Sequence, residues 1–425
     1  NHMAHCQANA LIIVNDNDMA IDENLGGLAT FLDDQHGHGG PSQWFTALGF
    51  TYRGPVDGHN LTQLMAAITE LQKLPGPKLL HIHTLKGKGY EPAENDPVGY
   101  HALAKIDPIE AVVTKHGATY AQVFGQWVCD QADTDDRLMA ITPAMIGGSG
   151  LEPFAQQYAT RLFDVAIAEQ HALTLAAGMA CEGAKPVVAI YSTFLQRGYD
   201  QLIHDIVLQD LDILLAIDRA GVVGEDGATH TGAYDLAFLR CLPNLLVMAP
   251  SSAAETSAML SFGFHHHGPA AVRYPRGEAF AELPLVTPIE LGKGQVLQTA
   301  IKPDALAILN FGALLDKAIV VAEAHGATLV DMRFVKPLDE ALLHQLLNQH
   351  LGFVTIEDHS CIGGAGSAVS EWLVQQKSKV RLLCVGHEDA ALPHGSRDQV
   401  LHHTGLSTTK MVARVAEWQA QLLAE

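Results

Sequence analysis

Amide and carboxylate side chains follow the first apolar segment of the chain. The run Asn15-Asp16-Asn17-Asp18-Met19 comes directly after Leu11–Val14, which we predict to be a buried strand. In parallel α/β sheets, ligands bind beyond the carboxyl ends of the strands, and Asn and Asp oxygens suit a hard cation such as Mg2+. The same residue types also dominate turns, because their side chains bond to nearby backbone groups. Residue types alone therefore leave a metal site and an Asx-rich turn both open.

A carboxylate stands where a second apolar segment passes into a helix. Glu169 lies within Asp164–His171 and has apolar neighbours. Loss of solvent there would favour the protonated carboxyl, which can share its proton with a ring nitrogen. The alternative is a carboxylate in the first turn of a helix, where the helix dipole favours negative charge.

An aromatic and basic segment, Tyr191–Arg197, follows the next predicted strand. Phe194 has the shape to stack on a heteroaromatic ring, and Tyr191 and Arg197 can reach an anion in the same crevice. An aromatic residue after a strand is, however, more often part of the core.

Arginine and histidine residues occur in two further segments that follow apolar runs. Arg219, Asp226 and His230 lie in a polar, Gly-rich loop, and Arg276 lies in Arg273-Tyr274-Pro275-Arg276-Gly277. Because the net charge is −21, a small anionic substrate needs local arginines, which bind phosphate in a bidentate way. The alternative is that these are surface arginines in ion pairs.

These segments are positioned by alternating apolar runs and amphipathic stretches, which predict an α/β fold with parallel sheets and helices on both faces. The predicted strands are Leu11–Val14, Lys78–Thr84, Pro186–Tyr191, Asp212–Ile217, Leu245–Met248, Ala305–Leu309, Thr328–Met332 and Gly352–Ile356. The predicted helices are Leu61–Leu74, Ala168–Cys181, Asp200–Gln209, Ala253–Phe262 and Gly366–Gln376.

Three blocks are expected, at residues 1–115, 116–285 and 286–425, with linkers at Asp107–Gly117 and Glu282–Pro288. The polar, Gly-rich stretch Asp33–Ser42 predicts a loop without helix or strand. The cluster Gly363–Gly366 resembles a dinucleotide-binding fingerprint only loosely, and close packing of helix on strand explains it equally well. An NAD-dependent oxidoreductase is therefore a weak alternative.

Composition excludes several classes of protein. The chain has 425 residues, 48% hydrophobic and 17% charged, which predicts two or three folded domains. The 26 basic and 47 acidic residues argue against nonspecific binding to nucleic acid or an anionic membrane. No apolar run approaches the roughly 20 residues of a membrane span. The scattered cysteines form no C-x-x-C pair and fit reduced thiols in a cytoplasmic protein; they are Cys6, Cys129, Cys181, Cys241, Cys361 and Cys384.

Taken together, the segments resemble the 1-deoxy-D-xylulose-5-phosphate synthase family, thiamine-diphosphate enzymes of the transketolase superfamily. The resemblance spans nearly the whole chain, and its motifs occur in the family's order. The segments that carry it are Asn15–Met19, Gly54–His59, Lys88–Glu94, Asp164–His171, Tyr191–Arg197, Asp218–Gly221, Arg273–Gly277 and Asp331–Asp339.

The resemblance implies a cofactor site for thiamine diphosphate and Mg2+. Asn17 and the backbone carbonyl of Met19 are similar to half of the family's Mg2+ site. Glu169 resembles the glutamate that bonds to N1′ of the aminopyrimidine. Phe194 resembles the residue that stacks on that ring, and Tyr90 resembles another contact in the cofactor pocket.

The resemblance also implies roles in the reaction of pyruvate with D-glyceraldehyde 3-phosphate, which gives 1-deoxy-D-xylulose 5-phosphate and CO2. His101 and His230 resemble histidines that transfer protons, and Arg219 and Arg276 resemble the clamp for the acceptor phosphate. The acceptor site would be lined by Tyr191, Asp226 and His230.

Three domains and a homodimer are expected from the resemblance, for diphosphate binding, pyrimidine binding and a C-terminal domain. The chain departs from the family in lacking its Gly-Asp-Gly metal motif, and Gly27–Trp44 is shorter than in the family. We therefore expect that an N-terminal portion is missing, which would weaken or abolish cofactor binding and turnover. Three alternatives stay open: transketolase, the β chain of a 2-oxo-acid dehydrogenase, and an inactive module that keeps the fold and dimer interface.

Overall fold

A computed structural model describes residues 2–19, 27–32, 40–101, 117–280, 287–302 and 305–424. The chain divides into two units, Asn1–Val112 and Val113–Glu425. Most of the two predicted linkers lies outside the described residues. In the described part, no helix is long and apolar enough to cross a membrane.

The first unit is built on a small parallel sheet. Its strand order is β1-β3-β2, with β1 Leu11–Asp16, β2 Thr51–Asp57 and β3 Lys78–His83. The two strands predicted here are confirmed, and β1 extends two residues further, so that Asn15 and Asp16 belong to the strand. The helices are α1 His2–His5, α2 Gly27–Leu32, α3 Gly40–Ala47, α4 Leu61–Gln72 and α5 Glu91–Asn95.

The prediction that Asp33–Ser42 contains no helix is wrong at its end. Helix α3 begins at Gly40 and includes Pro41 and Ser42, whereas residues 33–39 lie outside the described part. Proline suits the first turn of a helix, because the N–H that it lacks has no partner there. The Gly-Pro pair therefore marks the start of a helix and not a loop.

The second unit contains a seven-stranded sheet among its described residues. The order is β13-β8-β9-β7-β6-β4-β5, parallel except for the antiparallel edge strand β13. The strands are β4 Leu138–Thr142, β5 Leu162–Asp164, β6 Lys185–Tyr191, β7 Leu214–Asp218, β8 Leu246–Met248, β9 Ala270–Arg273 and β13 Phe334–Lys336.

A five-stranded sheet completes the second unit, in the order β10-β12-β11-β14-β15. Only β10 runs antiparallel to its neighbour within the described residues. The strands are β10 Gln295–Gln298, β11 Ala305–Phe311, β12 Thr328–Asp331, β14 His350–Ser360 and β15 Arg381–His387.

Helices cover both faces of these two sheets. They are α6 Tyr120–Ala132, α7 Glu152–Gln157, α8 Glu169–Cys181, α9 Ser192–Leu195, α10 Tyr199–Gln201, α11 Asp235–Arg240, α12 Ala253–His265, α13 Leu315–His325, α14 Glu340–Leu347, α15 Ala365–Gln375, α16 Arg397–His403 and α17 Thr408–Ala424. The helix predicted over Asp200–Gln209 is instead α10 followed by a π-helical segment, Leu202–Val207. The other predicted strands and helices are present, with ends shifted by a few residues, and the α/β class is confirmed.

Buried strands supply side chains to cores on both faces of the seven-stranded sheet. Along β6, Val188 and Ile190 enter a core that includes residues of the five-stranded sheet, such as Phe311 and Phe353. Val187 and Ala189 enter a second core, with α6 and α12. Because successive side chains of a strand point to opposite faces, both faces must be apolar, which explains the continuous apolar runs in the sequence.

At Gly125, the backbone of helix α6 lies directly against the turn that follows β4, with no side chain between them. A Cβ atom on Gly125 would overlap the carbonyl oxygen of Gly150, whereas one on Gly178 of α8 would meet nothing within 4 Å. The first glycine is therefore required by close backbone approach, whereas the second lies at an exposed position of α8, where it only weakens the helix.

We predict opposite effects for these two glycines. Gly125→Ala should lower the free energy of unfolding by about 1–3 kcal/mol, because the added methyl overpacks the contact. Gly178→Ala should raise it by about 1 kcal/mol, because alanine favours the helix. Urea unfolding of both variants checks this, and equal shifts would contradict the assigned contact.

Glu357 holds the start of α15 from inside the five-stranded sheet. Its carboxylate accepts hydrogen bonds from the backbone N–H of Ala365 (2.7 Å) and Gly366 (2.8 Å). A Cβ atom on Gly364 would overlap the same carboxylate. The carboxylate thus occupies the helix N-terminus where a dinucleotide phosphate would bind. Close packing accounts for this glycine cluster, which removes the basis for the NAD alternative.

We predict a pH-dependent contribution from Glu357. Burial raises its pKa to about 7, so between pH 4.5 and 7 the folded state retains a proton that the unfolded state has lost. Stability therefore falls as pH rises through this window, by up to about 1.4 kcal/mol per pH unit. Glu357→Gln cannot ionise, so its stability relative to the parent should rise from pH 5 to pH 8. Thermal melts check this, with the exposed Glu323→Gln as a control whose difference from the parent should stay flat.

Candidate active site

The candidate residues of the second unit follow neighbouring strands of the seven-stranded sheet. Tyr191 ends β6, Arg219 follows β7, Arg276 follows β9, and Glu169 follows β5 as the first residue of α8. The carboxyl ends of parallel strands meet at one edge of a sheet. The fold therefore gathers segments that are more than 100 residues apart in sequence.

Three rings and a guanidinium form a continuous stack at this edge. The Arg219 guanidinium lies 4.1 Å from the centre of the Tyr191 ring. The Tyr191 and Phe194 rings are stacked at 5.4 Å, and His230 contacts Phe194 edge-on at 5.4 Å. The structure thus brings together four of the residues predicted from sequence.

Arg219 has an unusual backbone conformation, and its side chain is held by neighbouring groups. It has a positive φ of 58°, which is unusual for a residue with a side chain. Its Nη1 donates to the carbonyl of Gly148 (2.6 Å) and pairs with Asp218. Burial raises the pKa of Asp218 to about 6, although the arginine charge opposes the shift. The buried Nε of Arg219 has no hydrogen-bond partner within the described residues, so one donor is left for a ligand.

Arg276 binds the loop Val223–Asp226 at the same edge of the sheet. Its Nη1 lies 2.9 Å from Asp226 Oδ2 and 3.5 Å from Glu225 Oε2, and it donates to the carbonyl of Val223 (3.2 Å). The loop then continues to His230, whose Nδ1 lies 3.0 Å from Thr229 Oγ1. Both arginines therefore reach the same loop region, Arg276 through ion pairs that are partly exposed.

A cavity of about 830 Å3 opens beside the two arginines. It is lined by Arg219 and Arg276 together with Thr119, Gln122, Gly148 and Glu152, among others. A Cβ atom on Gly148 would overlap the Tyr191 hydroxyl, so this glycine is needed for the close approach. Glu169, Phe194 and His230 are not among the described residues that line it. The lining of the cavity thus includes two arginines and one carboxylate, Glu152.

Glu169 is buried, with 1% of its surface exposed. The half-exposed Arg197 donates from Nη1 to Glu169 Oε2 at 2.9 Å. Sequence reasoning assigned Arg197 to an external anion and missed this pair. The signal was present, because a buried carboxylate needs a charged or hydrogen-bonding partner and Arg197 follows the adjacent aromatic segment.

The predicted metal ligands lie in the first unit, after β1. Asn17 Oδ1 accepts a hydrogen bond from the backbone N–H of Met19 (3.2 Å), and Asp18 Oδ2 lies 3.2 Å from His83 Nε2. This geometry is an Asx turn. In the described ranges, no group of three or more His, Cys, Asp or Glu residues is arranged to hold a metal ion.

Tyr90 and His101 also lie in the first unit. Tyr90 is the residue before α5, is 47% exposed, and contacts Tyr100 edge-on at 5.8 Å. The backbone N–H of His101 donates to the carbonyl of Val98 (3.1 Å). Both residues are therefore placed in the segment that follows β3.

Three buried hydroxyls at the sheet edge were missed by sequence reasoning. Ser149, Ser192 and Tyr274 follow β4, β6 and β9, and their hydroxyl oxygens have no hydrogen-bond partner in the part of the chain that the structure describes. Buried polar groups are normally satisfied, so these fit a site completed by a bound polar molecule. The same edge also carries a buried carboxylate, Glu169, and a stacked aromatic ring, Phe194.

Comparison with protein families agrees with these features along the chain. Residues 116–280 match the family described as "Transketolase, pyrimidine binding domain", and residues 292–411 match "Transketolase, C-terminal domain". Residues 1–40 and 35–84 match the family described as "1-deoxy-D-xylulose-5-phosphate synthase".

Known proteins extend this similarity over the whole chain. The 1-deoxy-D-xylulose-5-phosphate synthase of Pseudomonas entomophila is 48% identical, over 99% of this chain and 73% of that protein. The synthase of Thioalkalivibrio sulfidiphilus is also 48% identical, over 98% of this chain and 70% of that protein.

Two solved structures share the fold. One, titled "Split gene transketolase, inactive beta4 tetramer", has a TM-score of 0.63 and 28% identity, over 71% of this chain and 98% of that one. The transketolase of Campylobacter jejuni, with a TM-score of 0.61, covers 96% of this chain and 72% of that one, but at 15% identity it supports the fold alone. The fold is thus that of transketolases, and the sequence relatives, 48% identical over nearly all of the chain, show that it belongs to the 1-deoxy-D-xylulose-5-phosphate synthase family.

Proposed function

We propose that this chain acts in the thiamine-diphosphate-dependent condensation of pyruvate with D-glyceraldehyde 3-phosphate, and that the residues gathered at the sheet edge serve this reaction. The observation that carries the proposal is one edge that combines a buried carboxylate, an aromatic stack and two arginines at a cavity. The family consists of thiamine-dependent transferases, which agrees with this set of residues.

Glu169 and Phe194 are proposed to hold the cofactor ring. Bound thiamine diphosphate supplies a carbanion at its thiazolium ring and accepts the electrons left when CO2 departs. Glu169 would hold a proton at N1′ of the aminopyrimidine, and Phe194 would stack on that ring. In the first unit, the Asn17 amide oxygen and the Met19 carbonyl would supply two hard oxygen ligands to Mg2+, and Tyr90 would contact the cofactor.

Arg219 and Arg276 are proposed to bind the phosphate of the acceptor aldehyde. Each charged hydrogen bond contributes roughly 1.5–3 kcal/mol, so two arginines raise affinity well over tenfold. Tyr191 and Asp226 would line the acceptor. His230 would exchange protons with it, and His101 would be a second proton donor or acceptor.

Domain organisation, assembly and location are also part of the proposal. We propose a diphosphate-binding domain at residues 1–115, a pyrimidine-binding domain at 116–285 and a C-terminal domain at 286–425. The five-stranded sheet is built wholly from residues after 286, which supports the second division, whereas β13 of the same block pairs in the seven-stranded sheet. The chain would act as a homodimer in the cytoplasm.

A direct assay tests this function. The chain is supplied with pyruvate, D-glyceraldehyde 3-phosphate, Mg2+ and thiamine diphosphate, and CO2 release is followed. Turnover with a ketose phosphate in place of pyruvate would instead indicate a transketolase. Dependence on a lipoyl partner would indicate the β chain of a 2-oxo-acid dehydrogenase.

A second candidate is a non-catalytic module with the same fold. The solved structure titled as an inactive tetramer of a split transketolase covers 71% of this chain. The curated relatives are longer than this chain, which covers 73% of the synthase of Pseudomonas entomophila. Calorimetry with thiamine diphosphate separates the two candidates: no heat of binding, together with a stable dimer, would favour the module.

We predict that Glu169→Ala lowers turnover by at least about 100-fold, because a positioned acid–base group contributes roughly that much or more. Glu182→Ala, at the other end of α8 and exposed, is the matched control and should leave turnover unchanged. Circular dichroism establishes that both variants are folded. Retained activity in a folded Glu169→Ala variant would remove this residue from its role.

We predict that Arg276→Ala raises the KM for D-glyceraldehyde 3-phosphate about tenfold or more and leaves the KM for pyruvate unchanged. The reason is the loss of one charged hydrogen bond to phosphate. Arg137→Ala is the control, because Arg137 precedes β4 at the opposite edge of the sheet and pairs with Asp135. Equal changes in both KM values would argue against a phosphate contact.

A further inference from the structure

Asp358, near the end of β14, connects the five-stranded sheet to the loop that carries Arg219. Its side chain is 4% exposed, and Oδ1 accepts a hydrogen bond from the backbone N–H of Val222 at 3.0 Å. No motif of the sequence analysis includes Asp358, and it does not line the cavity. Asp358 thus holds the backbone N–H of Val222, three residues after Arg219.

The loop leaves almost no space around this carboxylate. Gly221 has a φ of 78°, and a Cβ atom there would overlap the carboxyl group of Asp358. Gly221 and Gly232 also exchange two backbone hydrogen bonds of 2.9 Å each. The turn from Arg219 to Val222 is therefore held on one side by Gly232 and on the other by Asp358.

A histidine and an arginine hold the carboxylate in this orientation. His387 Nε2 lies 2.9 Å from Asp358 Oδ1, and Arg397 Nη2 donates to Oδ2 at 2.7 Å. Burial alone would raise the pKa of Asp358, but the hydrogen bond from His387 and the charge of Arg397 hold it well below its usual range. The group therefore stays ionised and accepts the Val222 hydrogen bond as a charge-assisted one.

Arg397, which binds Asp358, also lies against the turn Gly224–Asp226. It begins α16, and a Cβ atom on Gly224 would lie 2.8 Å from the Arg397 backbone nitrogen. Gly224 opens the turn Gly224–Asp226, whose Asp226 pairs with Arg276. The Arg219 loop is thus held by Asp358 of the five-stranded sheet, and the turn that pairs with Arg276 lies against the start of α16.

We propose that Asp358 is a positioning residue for acceptor binding: by fixing the Arg219–Val222 turn, it sets the Arg219 guanidinium for the phosphate of the acceptor. This inference rests on the proposed function. It assigns to the C-terminal sheet a role in substrate affinity, in addition to packing.

Hydrogen exchange tests the contact independently of activity. Asp358→Ala should speed amide exchange in a peptide covering residues 219–226 by at least tenfold, and leave a peptide of β7 unchanged. Asp358→Asn keeps one acceptor oxygen for Val222 and should show a smaller effect. Unchanged exchange at 219–226 in both variants would overturn the proposal.

Kinetics test the role. Asp358→Ala should raise the KM for D-glyceraldehyde 3-phosphate about tenfold while the KM for pyruvate and the kcat/KM for unphosphorylated D-glyceraldehyde stay constant, with Asp358→Asn intermediate. Glu357→Gln, at the adjacent buried carboxylate of β14, should change neither KM. The proposal would be overturned if Asp358→Ala lost kcat equally with the phosphorylated and the unphosphorylated aldehyde, or if its KM for D-glyceraldehyde 3-phosphate were unchanged.

If the parent chain shows no turnover, the proposed function fails, and phosphate binding then decides the role of Asp358. Calorimetry with inorganic phosphate should show about tenfold weaker binding to Asp358→Ala than to the parent. Equal binding, or no binding to the parent, overturns the positioning role.

Discussion

The buried guanidinium of Arg219 imposes conditions on every element around it. A charge removed from water needs both a counter-charge and hydrogen bonds, or the fold loses several kcal/mol. Here Asp218 supplies the charge, the Gly148 carbonyl supplies an acceptor, and the Tyr191 ring covers one face. These three partners come from the ends of β7, β4 and β6, so satisfying one side chain brings three loops to the same point.

Other buried arginines also need a counter-charge and hydrogen bonds, and their partners connect elements of the two large sheets. Arg273, at the end of β9, donates to Asp235 (2.9 Å) and to the backbone carbonyl of Asp358 (3.2 Å). Arg333, before β13, pairs with Glu255 of α12. Breaking such a buried pair by removing one partner typically costs about 3–5 kcal/mol, because the other charge stays buried. The apolar core between the sheets is thus accompanied by polar contacts, of which the hydrogen bond from Arg273 to the Asp358 carbonyl joins the two sheets directly.

Sequence reasoning succeeded where local pattern decides the structure. The buried strands are long apolar runs, and Glu169 stands at the junction of a short strand and a helix, as predicted. It failed where a contact joins distant residues. Val222 and Asp358 are 136 positions apart, and no local periodicity indicates that they meet. Helix α3 was missed for a different reason, because Gly and Pro both break helices and begin them.

The two arginines at the cavity differ in how firmly they are held, and this difference has a physical consequence. The Arg219 side chain is 14% exposed and its carboxylate partner is 1% exposed, so this pair is little screened by solvent. Arg276 and Asp226 are 36% and 33% exposed, and a partly solvated pair holds its geometry weakly. Under the proposed function, a phosphate dianion would therefore displace the carboxylate partners of Arg276 more easily than it would displace Asp218 from Arg219.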